Sequence, residues 1–222
     1  MLAICCSTIS TIVLYAASAN EERVMSKGRL TRETILQTAF EQASQQGLES
    51  LTIGSLASAC EMSKSGLFAH FQSRDNLQIA VLEYAAEVFR LRVIQPVRQQ
   101  EYQSQHDKLI ALLRAWQAWN HCFAGRCMFL DAWTSVQDGH EQKSQVQQAA
   151  RQLVRFWLDY LARQVVQGQA AGEWRQEMDP WRAVYRLYGL YLADQVFNDL
   201  ELCQDPARHF WPEVDALLSS WR

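Results

Sequence analysis

From residue 31 onward the chain repeats apolar positions at spacings of three and four, and no stretch alternates convincingly with a period of two, so helices alone are expected. The first should run from about Thr31 to Gln46, with Thr31 at its N-cap and Gly47 as its stop. Ile35, Leu36, Ala39, Phe40 and Ala43 form its core stripe. Leu48 and Leu51 bridge to a second helix that begins after Thr52 and ends near Cys60, turning Ile53, Leu56, Ala57 and Ala59 inward. Ser63 caps a short third helix that reaches about His70, and Met62, Leu67, Phe68 and Phe71 close the small core from that side. Ser73 caps a long fourth helix from Arg74 to about Ile94, which should stop before Pro96 because the residue preceding a proline avoids the helical region.

Beyond Pro96 the polar residues 98 to 108 read as a loop or frayed end. Apolar spacing returns through 109 to 123, pauses at Gly125 and resumes to about 137. A long helix is expected from about Glu141 to Val166, ending at Gly168. Another follows the Asp179-Pro180 start signal to about Leu202, and a last one follows Asp205-Pro206 to the C-terminus. The fold class is therefore all-α.

Residues 52 to 77, TIGSLASACEMSKSGLFAHFQSRDNL, have the layout of a helix-turn-helix, in which one helix enters the major groove of DNA. EMSKSG is polar and small where such a helix must approach phosphates and base edges. Ser63, Lys64, Ser65 and Gly66 occupy the end that enters the groove. Lys64 suits a guanine edge or a phosphate, with a solvated surface lysine as the competing reading. Gly66 removes a side chain where backbone and DNA come close. His70 and Arg74 should face phosphates, Arg74 with help from the N-terminus of the fourth helix. Thr52 caps its own helix and can also offer an amide or hydroxyl to phosphate. Lys27, Arg29 and Arg32 either reach phosphate or an adjacent minor groove, or form a loose basic arm.

A chain of 222 residues suits one or two domains, and its net charge of -3 excludes a generally sticky nucleic-acid binder. Between 27 and 75 the cations Lys27, Arg29, Arg32, Lys64 and Arg74 are balanced by Glu33, Glu41, Glu49, Glu61 and Asp75, so binding depends on where charge sits. Cys5, Cys6, Cys60, Cys122, Cys127 and Cys203 lack metal-ligand spacing and read as reduced apolar fillers, with Cys122 and Cys127 as an alternative redox pair. No metal and no cofactor are expected. An enzyme is disfavoured too: there is no paired Glu-x-x-His, nucleophile elbow or phosphate loop, and His106, His121, His140 and His209 are scattered.

Residues 1 to 24 stand apart. LAICCSTISTIVLYAASA carries no charge and ends in Ala17-Ser18-Ala19, which imitates a signal-peptidase site, yet no Lys or Arg precedes it. It is a marginal membrane span. Met25 opens MSKGRLTRETILQTAF, a natural start for a cytosolic protein. The expectation is that translation begins there and the upstream segment is a mis-assigned start, with a membrane anchor as the alternative.

With TRETILQTAF, LTIGSLASAC, MSKSGLFAHF and SRDNLQIAVL in this order and spacing, the chain resembles the tetracycline-repressor-like (TetR) family of transcriptional regulators. The resemblance runs from Met25 to the end and is strongest over 31 to 82. Val93, Pro96, Trp116 to Trp119 and Gly125-Arg126-Cys127-Met128-Phe129 are similar to a subgroup with a Gly-x-Cys turn in its regulatory domain. The resemblance implies a helix-turn-helix DNA-binding domain at 25 to 80, with its motif at about 53 to 71. It also implies a larger helical domain at 81 to 222 for ligand binding and dimerisation. Two positions depart from the family pattern. Phe68 replaces the usual Tyr, which removes a hydroxyl-to-phosphate bond from a position otherwise at the DNA. Glu61 replaces the usual Gly, where a left-handed backbone would cost about 1 kcal/mol.

All 8 tryptophans lie beyond residue 115. Trp116, Trp119, Phe123, Phe129, Trp133, Phe156, Trp157 and Tyr160 are candidates to line an apolar effector cavity, with His121 or Tyr160 as its polar contact; ordinary core packing is the competing reading for each. Trp181, Val184, Tyr185, Tyr188, Tyr191, Leu192 and Gln195 share one broad helical face. With Ala216, Leu217 and Trp221 of the last helix this face could supply half of an intersubunit four-helix bundle. The expected protein is a cytoplasmic homodimer that represses a palindromic operator on double-stranded DNA. A small apolar or aromatic effector would release it by tilting the fourth helix through Val81 to Ile94. The alternatives are a membrane-tethered form of the same regulator and a helical interaction protein without DNA binding.

Overall fold

Local capping sets the first four helices. The structure, a computed structural model, describes residues 32–121, 128–134, 144–202 and 207–222. Helix α1 (Arg32–Gln46) buries Ile35, Leu36, Ala39, Phe40 and Ala43. Gly47 ends it with φ 83°, a conformation open to glycine, and its N–H donates to the Ala43 carbonyl at 2.9 Å. After one tight turn at Leu48–Ser50, α2 (Ile53–Ala59) opens on a reciprocal cap. The Ser55 N–H donates to the Thr52 hydroxyl at 3.0 Å, and the Thr52 N–H donates to the Ser55 hydroxyl at 3.1 Å. Ala59 is exposed, contrary to expectation: Cys60, one residue on, turns back to the stripe of Leu56 and Ala57.

Helix α3 (Lys64–Phe71) is capped by Ser63, and α4 (Arg74–Phe89) by Ser73. Leu67 and Phe71 enter the core, but Phe68 stays 52% exposed and closes nothing. Pro96 does not stop the fourth helix. A wider π turn at Arg90–Ile94 carries the rod onward into α5 (Gln95–Arg98), and the Gln95 N–H reaches back five residues to the Arg90 carbonyl. An α ladder would need the N–H that Pro96 lacks and would press its ring on the Arg92 carbonyl; the wider turn relieves both.

Helix α6 (Gln105–His121) starts within the segment that reads as a loop. Its first amides are held from a distance: the Gln105 and His106 N–H groups donate to the Glu173 carboxylate at 2.7 and 3.0 Å. After α7 (Met128–Thr134), α8 (Gln145–Ala170) runs past Gly168. That glycine is interior because the Trp174 ring occupies the space a Cβ would need. The stop is Gly172, with φ 74°, where the Gly172 and Glu173 N–H groups close on the Gln169 and Gly168 carbonyls, each at 3.0 Å. Helix α9 (Pro180–Asp199) ends three residues short of Leu202, on Glu201 at φ 51°, and α10 (Ala207–Ser219) closes the chain.

Helix α4 packs against both α1 and α8, so it joins the three-helix unit of α1–α3 to the C-terminal bundle. Among the described residues there is no strand, and no helix is long and apolar enough to cross a membrane.

Candidate functional site

Most of the residues expected to face DNA gather on α3 and the caps of α2 and α3, with Arg32 on α1 and Arg74 on α4 beside them. Ser63 spends its hydroxyl accepting from the Gly66 N–H at 3.1 Å, and Ser65 lies 3.2 Å from it. A Cβ on Gly66 would come within 3.1 Å of that Ser63 hydroxyl, so the glycine keeps the cap open as well as the surface. Lys64 is exposed and lies over Gly54, close enough that a Cβ there would stand 3.7 Å from its Nζ and 3.8 Å from the Thr52 hydroxyl. The ammonium therefore shares a surface with the N-terminal turn of α2, where the first amides of a helix have no carbonyl partner within it. Cation and helix end together suit a phosphate. His70 and Phe68 are exposed farther along α3. Arg32 sits on α1 with its guanidinium 5.5 Å from the centre of the Phe71 ring.

Arg74 is more committed than the other cations. Its Nε donates to the Leu51 carbonyl at 3.1 Å, and its Nη2 donates to the Glu49 carbonyl and carboxylate at 2.6 and 2.7 Å. One turn on, the buried Gln78 amide donates to the Leu48 carbonyl at 3.0 Å. Two side chains of α4 thus pin the segment that orients α2. Sequence reasoning gives Gln78 no role; the signal it offers is a polar residue directly after Leu77 on an otherwise apolar stripe. Glu61 adopts the left-handed conformation anticipated at the turn, with φ 53°.

Above this unit, α4, the π turn and helices α6 to α9 enclose a cavity of about 330 Å³. Trp116, Trp119, Phe129, Phe156 and Trp157 line it, joined by Phe89, Ile94, Leu153, Tyr188 and Tyr191. Trp133 and Tyr160 do not. The Trp133 carbonyl accepts from Gln147 at 3.2 Å, and the Tyr160 ring stacks on Trp157 at 5.9 Å instead of facing the space. Phe123 and the His121 side chain lie outside the described residues, as do Lys27, Arg29, the Cys122/Cys127 pair and all but the end of the Gly-x-Cys turn. The charged lining comes from α4 and the π turn: Glu83, Glu87 and Arg90. Arg90 bonds the Glu87 carboxylate at 2.6 and 2.8 Å, which holds that carboxyl below its ordinary range.

The rings continue out of the cavity. Trp157 meets Phe89 edge-on at 4.9 Å, Phe89 meets Trp119 at 5.4 Å, and Trp119 stacks on Phe40 of α1 at 6.3 Å. Packed aromatic side chains thus run from the cavity wall to the core of the three-helix unit.

The face expected to pair subunits is partly consumed. Leu217 and Trp221 are buried within their own chain, at 4% and 1% exposure, and Trp221 packs edge-on against Trp174 at 5.3 Å. The Arg175 N–H also donates to the Trp221 carbonyl at 2.8 Å, and the chain itself uses the Leu217 and Trp221 side chains as core. Tyr188 is turned inward, parallel to Trp116 at 5.9 Å. What remains outward on α9 is Trp181, Tyr185, open space at Gly189, Val196 and the half-buried Leu192.

Comparison with known proteins agrees with this layout. Residues 35–81 match the family model of bacterial regulatory proteins, tetR family, and residues 106–213 match that of the tetracyclin repressor-like C-terminal domain. No curated protein sequence matches the chain. Among solved structures, it is similar to SCO4454, a TetR-family transcriptional regulator from Streptomyces coelicolor, with 21% identity, 84% of this chain and 93% of that one covered, and a TM-score of 0.67. It is also similar to the FadR regulator of Bacillus subtilis in complex with stearoyl-CoA (14% identity, 85% and 98% covered, TM-score 0.66). A third is a regulator from Saccharomonospora viridis in complex with choline (15% identity, 83% and 93% covered, TM-score 0.64). At these identities the likeness is one of fold. With both family models matched in order along it, the chain belongs to the tetR family and is a DNA-binding transcriptional regulator.

Proposed function

We propose that the protein is a cytoplasmic homodimeric repressor, released from a palindromic operator when a small apolar or aromatic effector enters the cavity beside α4. The observation that carries this reading is the position of the cavity. Its wall includes the same helix that holds the segment before α2 through Arg74 and Gln78. A change in the tilt of α4 therefore moves the recognition surface as a unit. A coupling of about 1–3 kcal/mol would change operator affinity roughly 5- to 150-fold. The same geometry supports a division at about residue 80, with α1–α3 and the start of α4 as reader and the remainder as sensor.

Groove contact falls to Ser63, Lys64, Ser65 and Gly66, with Phe68 and His70 farther along the helix and Thr52 and Arg32 on its flanks. Arg74 serves first as a brace, with phosphate as a second partner for what its guanidinium leaves free. Pairing runs through the exposed Trp181 and Tyr185 and the half-buried Leu192 of α9, an apolar stripe that a second copy would cover. Two-fold symmetry then requires half-sites one helical turn of DNA apart.

Sequencing the genomic fragments retained by the purified protein tests the whole reading. A palindrome is expected, and it should be lost from the selected pool when Lys64→Ala replaces the native chain. Fragments without symmetry would overturn the dimeric arrangement.

A further inference from the structure

We infer that the cavity takes a molecule with an apolar or aromatic body and a positively charged head, the body lying among Trp116, Trp119 and Trp157 and the cation at the mouth beside Glu83. This rests on the reading of the cavity as the effector site and adds the chemical class that the site selects.

The charged side chains of the lining lie on one edge: Glu83 and Glu87 of α4 and Arg90 of the π turn. Arg90 is consumed by Glu87 through two bonds. Glu83 is exposed and makes no hydrogen bond or ion pair among the described residues, so one negative charge is left over among the described lining residues. Glu83 and Glu87 stand one helical turn apart, where like charges repel by a few tenths of a kcal/mol. Arg90 already answers Glu87, so a cation beside Glu83 answers the charge that remains. An anionic head would meet Glu83 and compete with Glu87 for Arg90.

The apolar remainder favours the same sign of charge. Trp116, Trp119, Trp157, Tyr188 and Tyr191 all line the space, and the negative faces of such rings attract a cation. A cavity of about 330 Å³ lies at the small end of the range for ligand pockets, about 300–1,000 Å³, which suits a single-ring or short-chain amine.

Three probes share one body and differ only in the head: 4-phenylbutylamine, 4-phenylbutan-1-ol and 4-phenylbutyrate. Each is titrated into the full chain while tryptophan emission is followed, since three indoles line the cavity. The amine should bind about 3- to 10-fold tighter than the alcohol, by ring attraction and one surface carboxylate, and the acid should bind weakest. Glu83→Gln should bring the amine-to-alcohol ratio toward one. Equal binding of all three, a preference for the acid, or a ratio unchanged in Glu83→Gln would overturn the cation preference while leaving an apolar effector site in place. Failure of the alcohol and the amine alike would overturn the preference and the effector site together.

Discussion

Arg74 and Glu49, separated by 25 positions along the chain, are joined by an ion pair at 2.7 Å and by a bond from the same guanidinium to the Glu49 carbonyl at 2.6 Å. With the Leu51 carbonyl as its third partner, Arg74 ties the start of α4 to the turn that launches α2. Replacing Arg74 by Ala should cost about 1–2 kcal/mol, because two backbone acceptors lose a charged donor, whereas Glu49→Ala should cost less than about 1 kcal/mol as an exposed ion pair. Urea unfolding of both variants checks the order; equal losses would reduce Arg74 to its ion pair.

Lys64 is the cation on α3 that no acid neutralises among the described residues. Lys64→Ala should weaken operator binding and lower the slope of log affinity against log salt by about 1 if it serves a phosphate. An unchanged slope with relaxed base preference at one position would assign it to a guanine edge instead.

Glu61 holds a left-handed backbone without being glycine. Glu61→Gly should raise stability by about 0.5–1 kcal/mol, since the relieved strain exceeds the added chain entropy. It should also tighten DNA binding by removing a carboxylate near phosphate. A drop in melting temperature would contradict the strain.

Gly168 gives the opposite sign. A methyl there would overlap the Trp174 ring, which is buried and packed against Trp221, so it has little room to retreat. Gly168→Ala should destabilise by about 1–3 kcal/mol despite its better helix propensity. Calorimetry reads this directly.

Glu87 titrates below its ordinary value because Arg90 bonds its charged form. A depressed folded pKa gives stability that is present above the unfolded carboxyl value and lost as pH falls through the folded one. Glu87→Gln should therefore be less stable than the native protein near neutrality, and the two should converge in acid. A gap that persists at pH 2 would point to packing rather than charge.

Where structure is local, the sequence is a good guide. Thr52, Ser63 and Ser73 each cap the helix they precede, because a short hydroxyl side chain needs only the next three residues to do so. Distance along the chain defeats the same reasoning at α6, whose start depends on Glu173, and at Gly168, which looks like a stop until Trp174 is placed over it. The rings of the C-terminal domain are legible as a group but not one by one. Composition cannot say that Tyr188 turns inward, that Tyr160 backs Trp157, or that Trp221 closes on its own chain.

The π turn at Arg90–Ile94 gives the connecting rod a joint. Pro96 brings no N–H to the ladder here, so flexing at this point breaks one bond fewer than flexing in an uninterrupted stretch of α4. Because Arg90 and Ile94 also face the cavity, an occupant would press on the rod where it yields most easily, and a small push could swing the far end through a wider arc.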